Sequence, residues 1–290
     1  MRFRVALELG RVSNLLTVLS NASVGLLLVG QKAWPVWCLV LGSMALSYCG
    51  GMFLNDYFDA SFDEKYKSDR PIASGRVTRN EVQVWGLMQL GLAVVLLGLA
   101  ASAPTRGILA GLVLSLLILM YNVWHKQNPL SPVVMGLCRV MVVIGAAATI
   151  EAAWLSEAVL EAAVLIFLHV VGLTYAARGE HLSEPQNSWP LFVLSAPVLW
   201  LLWQLPSTGA EDRVGLLIAL AALALVNVLA IKRLLRRGPG DVPTAVGQLI
   251  AALCLLDAAL LAHGGYVNFA LLSAAGYPMT TWLQRRISGT

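Results

Sequence analysis

Long apolar runs, separated by short polar segments, fill most of this sequence. Two of the runs, Val12 to Val29 and Gly86 to Ala103, contain no formally charged residue. Because about 20 apolar residues in a helix cross the hydrocarbon core of a bilayer, runs of this length predict membrane-spanning helices. The predicted helices are nine in number and cover residues 12–31, 34–57, 81–103, 107–124, 130–150, 155–177, 189–205, 214–235 and 243–263.

A tenth apolar run, from Tyr266 to Leu283, is interrupted by Gly276 and Pro278. It could span the membrane, re-enter it or lie at the interface. No linker, repeat or low-complexity stretch divides the chain. Residues 1–290 are therefore expected to form one all-α, polytopic membrane domain.

The composition agrees with a membrane protein. Of the 290 residues, 58% are hydrophobic and 12% are charged, which is about half the charged fraction of a typical soluble domain. The cysteines lie inside apolar stretches, without the spacing of a zinc site or of a disulfide framework, and are interpreted as packing residues.

The charged residues are distributed unequally between the two sides of the predicted topology. The formal net charge is only +4 and is scattered, which argues against a nucleic-acid surface. With the N-terminus in the cytoplasm, Lys32, Arg106 and Arg213 lie in outside loops, and fourteen cations lie inside. These fourteen are Arg2, Arg4, Arg11, Lys65, Lys67, Arg70, Arg76, Arg79, Lys126, Arg178, Lys232, Arg233, Arg236 and Arg237. The positive-inside rule therefore predicts a multi-pass protein of the inner (cytoplasmic) membrane, with the long polar segments 56–80 and 178–188 facing the cytoplasm.

The first long polar segment begins with three aspartates on one helical face. Asp56, Asp59 and Asp63 follow the apolar part of the second predicted helix at positions i, i+3 and i+7. Three carboxylates at a membrane boundary repel one another and resist desolvation, so they are costly unless a cation binds among them. Magnesium is the natural candidate, because it prefers oxygen ligands and commonly binds one or two carboxylates together with phosphate oxygens. A solvated helix end with surface charges is the alternative.

The aspartates and the loop after them form a specific motif. The chain reads NDYFDASFD from Asn55 and RPIASGR from Arg70 to Arg76. The pattern NDxxDxxxD followed by RPxxSGR resembles the first signature of the UbiA-like intramembrane prenyltransferase superfamily. The resemblance implies a ring of helices around a central lipid-open cavity, where the aspartates hold Mg²⁺ and the metal binds the diphosphate of a prenyl donor. Direct substrate contacts are expected from Asn55, Lys67, Arg70, Ser74 and Arg76, since guanidinium and ammonium groups bind phosphate well.

A second, weaker resemblance lies at the end of the fourth predicted helix. Members of the family often carry a Tyr and a Lys at this junction, here Tyr121 and Lys126, which are expected to contact the substrate. Lys126 could instead be an ordinary positive-inside anchor. Arg139 lies inside the fifth predicted helix, where a buried charge indicates either a substrate contact or an interhelical partner. Asp257, in the ninth predicted helix, is expected to face a cavity or a partner such as Arg139.

The family's usual second aspartate motif, after the sixth helix, is replaced in this chain. No aspartate occurs between residues 71 and 211, and the corresponding segment carries Tyr175, Arg178, Glu180 and Glu184. If the helix continues, the two glutamates share a face and could hold a second magnesium, while Tyr175 and Arg178 contact the substrate. A plain charged loop is the alternative. The arginine in this segment resembles the EboC-type branch of the superfamily.

The resemblance as a whole implies a magnesium-dependent prenyltransferase. It would transfer an isoprenyl group from a prenyl diphosphate to a hydrophobic or aromatic acceptor, in contact with membrane lipids. The predicted catalytic residues are Asp56, Asp59, Asp63, Arg70 and Lys126. Stabilising charge on the departing diphosphate is the main catalytic term in such chemistry. The rival prediction is a non-catalytic carrier of an isoprenoid diphosphate lipid, because a carrier would keep the first motif and tolerate loss of the second.

Overall fold

A computed structural model of the protein describes residues 1–124, 128–150, 153–177 and 189–287. Within these ranges the regular structure is entirely helical, which confirms the predicted all-α class. The helices of the described ranges are α1 (Phe3–Leu9), α2 (Leu15–Leu28), α3 (Trp34–Tyr66), α4 (Arg79–Ala100), α5 (Pro104–Trp124), α6 (Ser131–Ala147), α7 (Glu157–Ala177), α8 (Trp189–Trp203), α9 (Arg213–Arg236), α10 (Asp241–Ala251), α11 (Leu253–His263) and α12 (Val267–Gln284).

Seven segments in the described part of the chain are long and apolar enough to cross a membrane. They are α3, α4, α5, α7, α8 with the short turn after it, α9, and α10 together with α11. The pair α1 and α2 would add an eighth span, but the two helices are bent by 60°. Helix α6 is apolar and has 17 residues. The chain is therefore a multi-pass membrane protein, and the predicted count of nine spans is approximate.

Three helices differ from their predicted bounds. Helix α3 continues to Tyr66 instead of ending near residue 57, so the whole aspartate motif is helical. The first predicted helix, 12–31, begins as a 3-10 turn (Val12–Asn14) and is α-helical only over α2. The left-handed backbone of Arg11 (φ 42°), which a right-handed helix cannot contain, separates it from α1, a helix that the apolar pattern did not predict. The ninth is divided at Ala252 into α10 and α11. The extension of α3 matters most for function, because it fixes the aspartates on one rigid element.

Helices α3 and α4 approach each other closely before the aspartate motif. A Cβ atom at Gly50 would lie 2.9 Å from the carbonyl oxygen of Gly86, and one at Gly86 would lie 2.8 Å from Cγ of Leu54. Glycine at both positions lets the two backbones meet, as small residues commonly do between membrane helices. At the start of α4, the Thr78 hydroxyl accepts a hydrogen bond from the Glu81 backbone N–H (3.3 Å). These contacts hold the end of α3 beside the loop that follows it.

Helix α11 is almost wholly buried, and α12 packs on it. Every residue from Leu253 to Ala262 is buried. Helix α12 contacts α11 and α2, and the Phe269 ring of α12 stacks on the Trp37 ring of α3 with centroids 5.9 Å apart. A largely apolar cavity of about 720 Å³ lies between α2, the start of α3, α11 and α12. The tenth apolar run is thus a helix packed on the bundle, outside the seven candidate spans.

Candidate magnesium and diphosphate site

Two of the three predicted aspartates are buried on α3. Asp56 is 3% exposed and Asp63 is 6% exposed, while Asp59 is half-buried. The three lie on successive turns of one helical face, as their spacing predicts. Burying carboxylates costs free energy unless opposite charges or hydrogen-bond donors lie beside them. The neighbours of these carboxylates therefore decide what the site can do.

One such neighbour is Arg11, at the break between α1 and α2. Its Nη2 atom donates hydrogen bonds to Oδ1 of Asn55 (3.0 Å) and to Oδ1 of Asp56 (3.2 Å). The side chains of the Arg11 and Asp56 ion pair are 17% and 4% exposed, so solvent screens the pair only weakly. The left-handed backbone of Arg11 costs a non-glycine residue about 1–2 kcal/mol, and the Tyr48 hydroxyl supports it by donating to the Arg11 carbonyl oxygen (3.2 Å). Sequence reasoning counted Arg11 only among the inside cations and missed this contact.

Asn55 is held in place by a second asparagine. Its Nδ2 atom donates to Oδ1 of Asn122 on α5 (3.1 Å), and Nδ2 of Asn122 donates to the Gly51 carbonyl oxygen (3.0 Å). Both asparagines are buried. Because the nitrogen of Asn55 points to Asn122, its oxygen is directed toward Arg11. Sequence reasoning selected Tyr121 and missed Asn122, although a polar residue within an apolar helix indicates an interhelical hydrogen bond.

The RPxxSGR loop folds compactly beside the end of α3. The Arg70 carbonyl oxygen accepts hydrogen bonds from the Ser74 backbone N–H (2.9 Å) and from the Ser74 hydroxyl (2.7 Å). The Arg70 guanidinium lies within electrostatic range of Asp56, and Lys67 is exposed. The structure thus places Arg70 near the first aspartate, whereas the substrate contacts of Lys67 and Ser74 stay predictions.

Arg76 is bound by the N-terminal helix. Its guanidinium makes a bidentate ion pair with Glu8 of α1 (2.7 and 2.9 Å) and donates to the Asp69 carbonyl oxygen (2.6 Å). Its Nε atom donates to the Ser74 hydroxyl (2.9 Å). The hydrogen bonds to Glu8 raise the pKa of Arg76 above its ordinary value, so the guanidinium stays charged. Arg76 therefore links the loop to α1, and its predicted contact with substrate stays a prediction.

The remaining predicted residues of the site lie on α5, α7 and the connections after them. The Tyr175 hydroxyl, at the end of α7, donates to the Pro129 carbonyl oxygen (2.9 Å), and its ring contacts the Trp189 ring with centroids 4.8 Å apart. Tyr121 is half-buried near the end of α5. The predicted residues that lie outside the described ranges are Lys126, Arg178, Glu180 and Glu184. Their roles stay predictions, as do the substrate contacts of Tyr121 and Tyr175.

Arg139 lies inside the bundle and contacts α2. Its Nη1 atom donates to Oδ1 of Asn21 (2.9 Å), and its Nη2 atom donates to the Thr17 hydroxyl (3.0 Å). Nδ2 of Asn21 lies 2.8 Å from each carboxylate oxygen of Asp257. Asn21 therefore stands between the two charges, and the expected pairing of Arg139 with Asp257 is indirect. Arg139 has an interhelical partner, and its contact with substrate stays a prediction.

The donor set at the end of α3 suits magnesium with part of its ligands supplied by a substrate. In the described part of the chain, no three His, Cys, Asp or Glu side chains come close enough to hold one ion together. Magnesium rarely uses such an all-protein cage, and it commonly takes one or two carboxylates with phosphate oxygens and water. A row of carboxylates near Arg11 and Arg70 fits that pattern, because the guanidinium groups can bind the same phosphate. Asp56, Asp59 and Asp63 remain the predicted metal ligands.

Sequence comparison connects the chain with characterised proteins. The profile of the UbiA prenyltransferase family matches residues 18–253. A digeranylgeranylglyceryl phosphate synthase of Methanoregula boonei is 37% identical over 93 residues, which are 31% of this chain and 32% of that protein. A protoheme IX farnesyltransferase of Paracoccus denitrificans is 35% identical over 136 residues, which are 46% of this chain and 43% of that protein. The chain thus spans less than half the length of these curated relatives.

Two solved structures share the fold over most of the chain. A UbiA homologue from Aeropyrum pernix K1 has a TM-score of 0.67 at 19% identity and covers 86% of this chain and 98% of its own. A structure from work on digeranylgeranylglyceryl phosphate synthase in membranes has a TM-score of 0.64 at 20% identity and covers 91% and 98%. Identities this low establish the fold alone, whereas the family profile covers most of the sequence. The chain belongs to the UbiA prenyltransferase family.

Proposed function

We propose that the protein is a magnesium-dependent intramembrane prenyltransferase, which transfers an isoprenyl group from a prenyl diphosphate to a hydrophobic or aromatic acceptor. The observation that carries this proposal is the pair of buried carboxylates, Asp56 and Asp63, on one face of α3, with Arg11 and Arg70 near Asp56. Carboxylates suit a hard cation, and guanidinium groups suit phosphate oxygens. The names of the two relatives, a farnesyltransferase and a digeranylgeranylglyceryl phosphate synthase, support an isoprenoid substrate.

Each part of the site has a distinct task in this reaction. Bound magnesium would act as a Lewis acid on the diphosphate and so assist its departure from the allylic carbon. Asp56, Asp59 and Asp63 would hold the ion on the rigid end of α3. Arg70 would donate to phosphate oxygens, and its hydrogen bonds would strengthen as negative charge develops on the leaving group. Asn55 would keep its amide oxygen toward Arg11 and so orient that guanidinium.

Other parts of the proposal rest on the sequence pattern. We infer that the aspartate end of the bundle faces the cytoplasm and that the membrane is the inner membrane, because this orientation places fourteen cations inside. Glu180 and Glu184 are the proposed ligands of a second magnesium, and Arg178 and Lys126 are the proposed further phosphate contacts. The arginine-bearing segment also supports membership of the EboC-type branch.

A turnover assay separates this enzyme from a carrier. The purified full-length protein is incubated with Mg²⁺, a labelled prenyl diphosphate and a membrane extract as the source of acceptor. Release of pyrophosphate with a prenylated product supports the enzyme. Saturable binding of the donor without turnover supports the carrier instead, which the lack of an aspartate between residues 71 and 211 favours.

A pair of variants on α3 tests the role of the aspartates. Asp59→Asn should abolish both metal-dependent donor binding and transfer, because it removes one proposed ligand. Glu64→Gln is the matched control, because Glu64 is exposed on the same helix and lies off the face that carries the aspartates. The transfer activity of this variant should stay near that of the wild type. Wild-type turnover in Asp59→Asn would refute the assignment.

A further inference from the structure

Arg11 binds the Asp56 carboxylate, which is also a proposed ligand of the metal ion. Its guanidinium donates to the carboxylate of Asp56, which is 3% exposed, and supplies the opposite charge that a buried carboxylate needs. A divalent ion bound to Asp56 would bring a second positive charge close to this guanidinium. Two cations that share one carboxylate repel each other, and the repulsion is strong where solvent screening is weak. Arg11 and the metal therefore compete for Asp56.

The backbone of Arg11 is held, and among the described residues its guanidinium keeps an unused donor. Helix α1 is tied to the RPxxSGR loop by the ion pair of Glu8 with Arg76 (2.7 Å) and to the start of α4 by the Met1 ammonium on Glu81 (2.8 Å). Arg11 follows directly at the 60° break, with its left-handed backbone. In the described part of the chain its Nε atom has no hydrogen-bond partner. The guanidinium is thus bound to the site through Nη2 and retains donor capacity for another acceptor.

We propose that Arg11 is a switch in this site: it neutralises Asp56 before metal and diphosphate bind, and it donates to the diphosphate once the metal has taken Asp56. The inference rests on the proposed function and adds an order of events to it. Before diphosphate arrives, Arg11 opposes the metal. After it arrives, Arg11 stabilises the complex. The site therefore binds the metal and the diphosphate jointly and binds either one alone weakly.

Removing the charge of Arg11 should change the two affinities in opposite directions. Purified full-length protein is titrated with Mn²⁺ alone, followed by electron paramagnetic resonance, and with inorganic pyrophosphate in Mg²⁺, followed by calorimetry. In Arg11→Gln, the affinity for Mn²⁺ alone should rise about tenfold and the affinity for pyrophosphate in Mg²⁺ should fall about tenfold, the change expected for one charge-assisted hydrogen bond. Arg79→Gln is the matched control, because the Arg79 guanidinium lies over the Tyr57 ring (4.7 Å), and both affinities should change little.

The outcomes separate the switch from a merely structural role. A parallel loss of both affinities in Arg11→Gln, with normal binding in the wild type, would overturn the switch and leave the proposed function standing. Absence of any joint uptake of Mg²⁺ and pyrophosphate by the wild type would overturn the proposed function and the switch with it.

A second variant, at the acidic partner of the ion pair, also tests the switch. Asp56→Asn releases Arg11 from its carboxylate, so pyrophosphate binding without metal should become tighter than in the wild type, while metal-dependent binding falls. This test does not depend on whether Arg11→Gln folds. Pyrophosphate binding without metal that is no tighter than in the wild type would refute the switch.

Discussion

Replacing Asn122 with alanine should destabilise the protein and weaken the diphosphate site at the same time. The substitution removes the acceptor of Asn55 Nδ2 (3.1 Å) and the donor to the Gly51 carbonyl oxygen (3.0 Å). An interhelical hydrogen bond in a membrane contributes about 0.6 kcal/mol on average, and a buried donor left without an acceptor costs about 1–3 kcal/mol. Two lost hydrogen bonds and one orphaned donor together lower the free energy of unfolding by about 3 kcal/mol.

The expected weakening of the diphosphate site follows from the orientation of Asn55. Without Asn122, the amide of Asn55 can rotate, so its oxygen no longer directs Arg11, and the affinity for pyrophosphate in Mg²⁺ should fall. Unfolding in a denaturing detergent titration measures the stability, and calorimetry measures the affinity. The matched control is Ser115→Ala on the same helix, because in the described residues the Ser115 hydroxyl is buried without a hydrogen-bond partner and its removal costs little. Equal stability and affinity in the two variants would show that the contact between Asn55 and Asn122 supports neither the fold nor the site.

Three further outcomes are expected. Gly25→Ala puts a Cβ atom 2.3 Å from the Val143 carbonyl oxygen and should lower the free energy of unfolding by about 2 kcal/mol. Gly91→Ala is the control, because a Cβ atom there has no atom within 4 Å and should not lower the free energy of unfolding. Equal free energies of unfolding in the two variants would contradict the packing of α2 on α6. Asn21→Leu removes the amide donor that lies 2.8 Å from both carboxylate oxygens of the fully buried Asp257 and should cost about 3 kcal/mol, part of which Asp257→Asn should restore in the double variant. Chelation of divalent ions should weaken pyrophosphate binding strongly in calorimetry, and an affinity that chelation leaves unchanged would contradict metal dependence.

The acidic half of the site could be predicted because its residues are close in sequence. Asp56, Asp59 and Asp63 lie within two turns of one helix, so the helical period alone puts them on one face. The structure confirms that arrangement and extends α3 to Tyr66. Arg70 lies in the same segment and is also placed near Asp56. A motif of this kind can be predicted from the sequence alone, because no long-range packing is needed to bring its residues together.

The residues that sequence reasoning missed are distant in sequence. Arg11 and Asp56 are 45 positions apart, and Asn55 and Asn122 are 67 positions apart. Such pairs depend on which helices become neighbours and on how far each is shifted along its axis relative to the other, and apolar periodicity specifies neither. The same holds for Asn21, which connects two charges that the sequence suggested as direct partners.

This division between local and long-range residues affects how mutations should act on the site. The carboxylates belong to α3 alone, whereas Arg11 follows α1, which ion pairs tie to the RPxxSGR loop (Glu8 with Arg76) and to α4 (Met1 with Glu81). A change that loosens α1 should therefore displace Arg11 while the spacing of the aspartates stays intact. Because Arg11 and the metal compete for Asp56, such a change should weaken pyrophosphate binding and spare or strengthen the binding of metal alone. Distant packing variants would then show the same opposed pattern as Arg11→Gln, whereas a defect in α3 itself would weaken both.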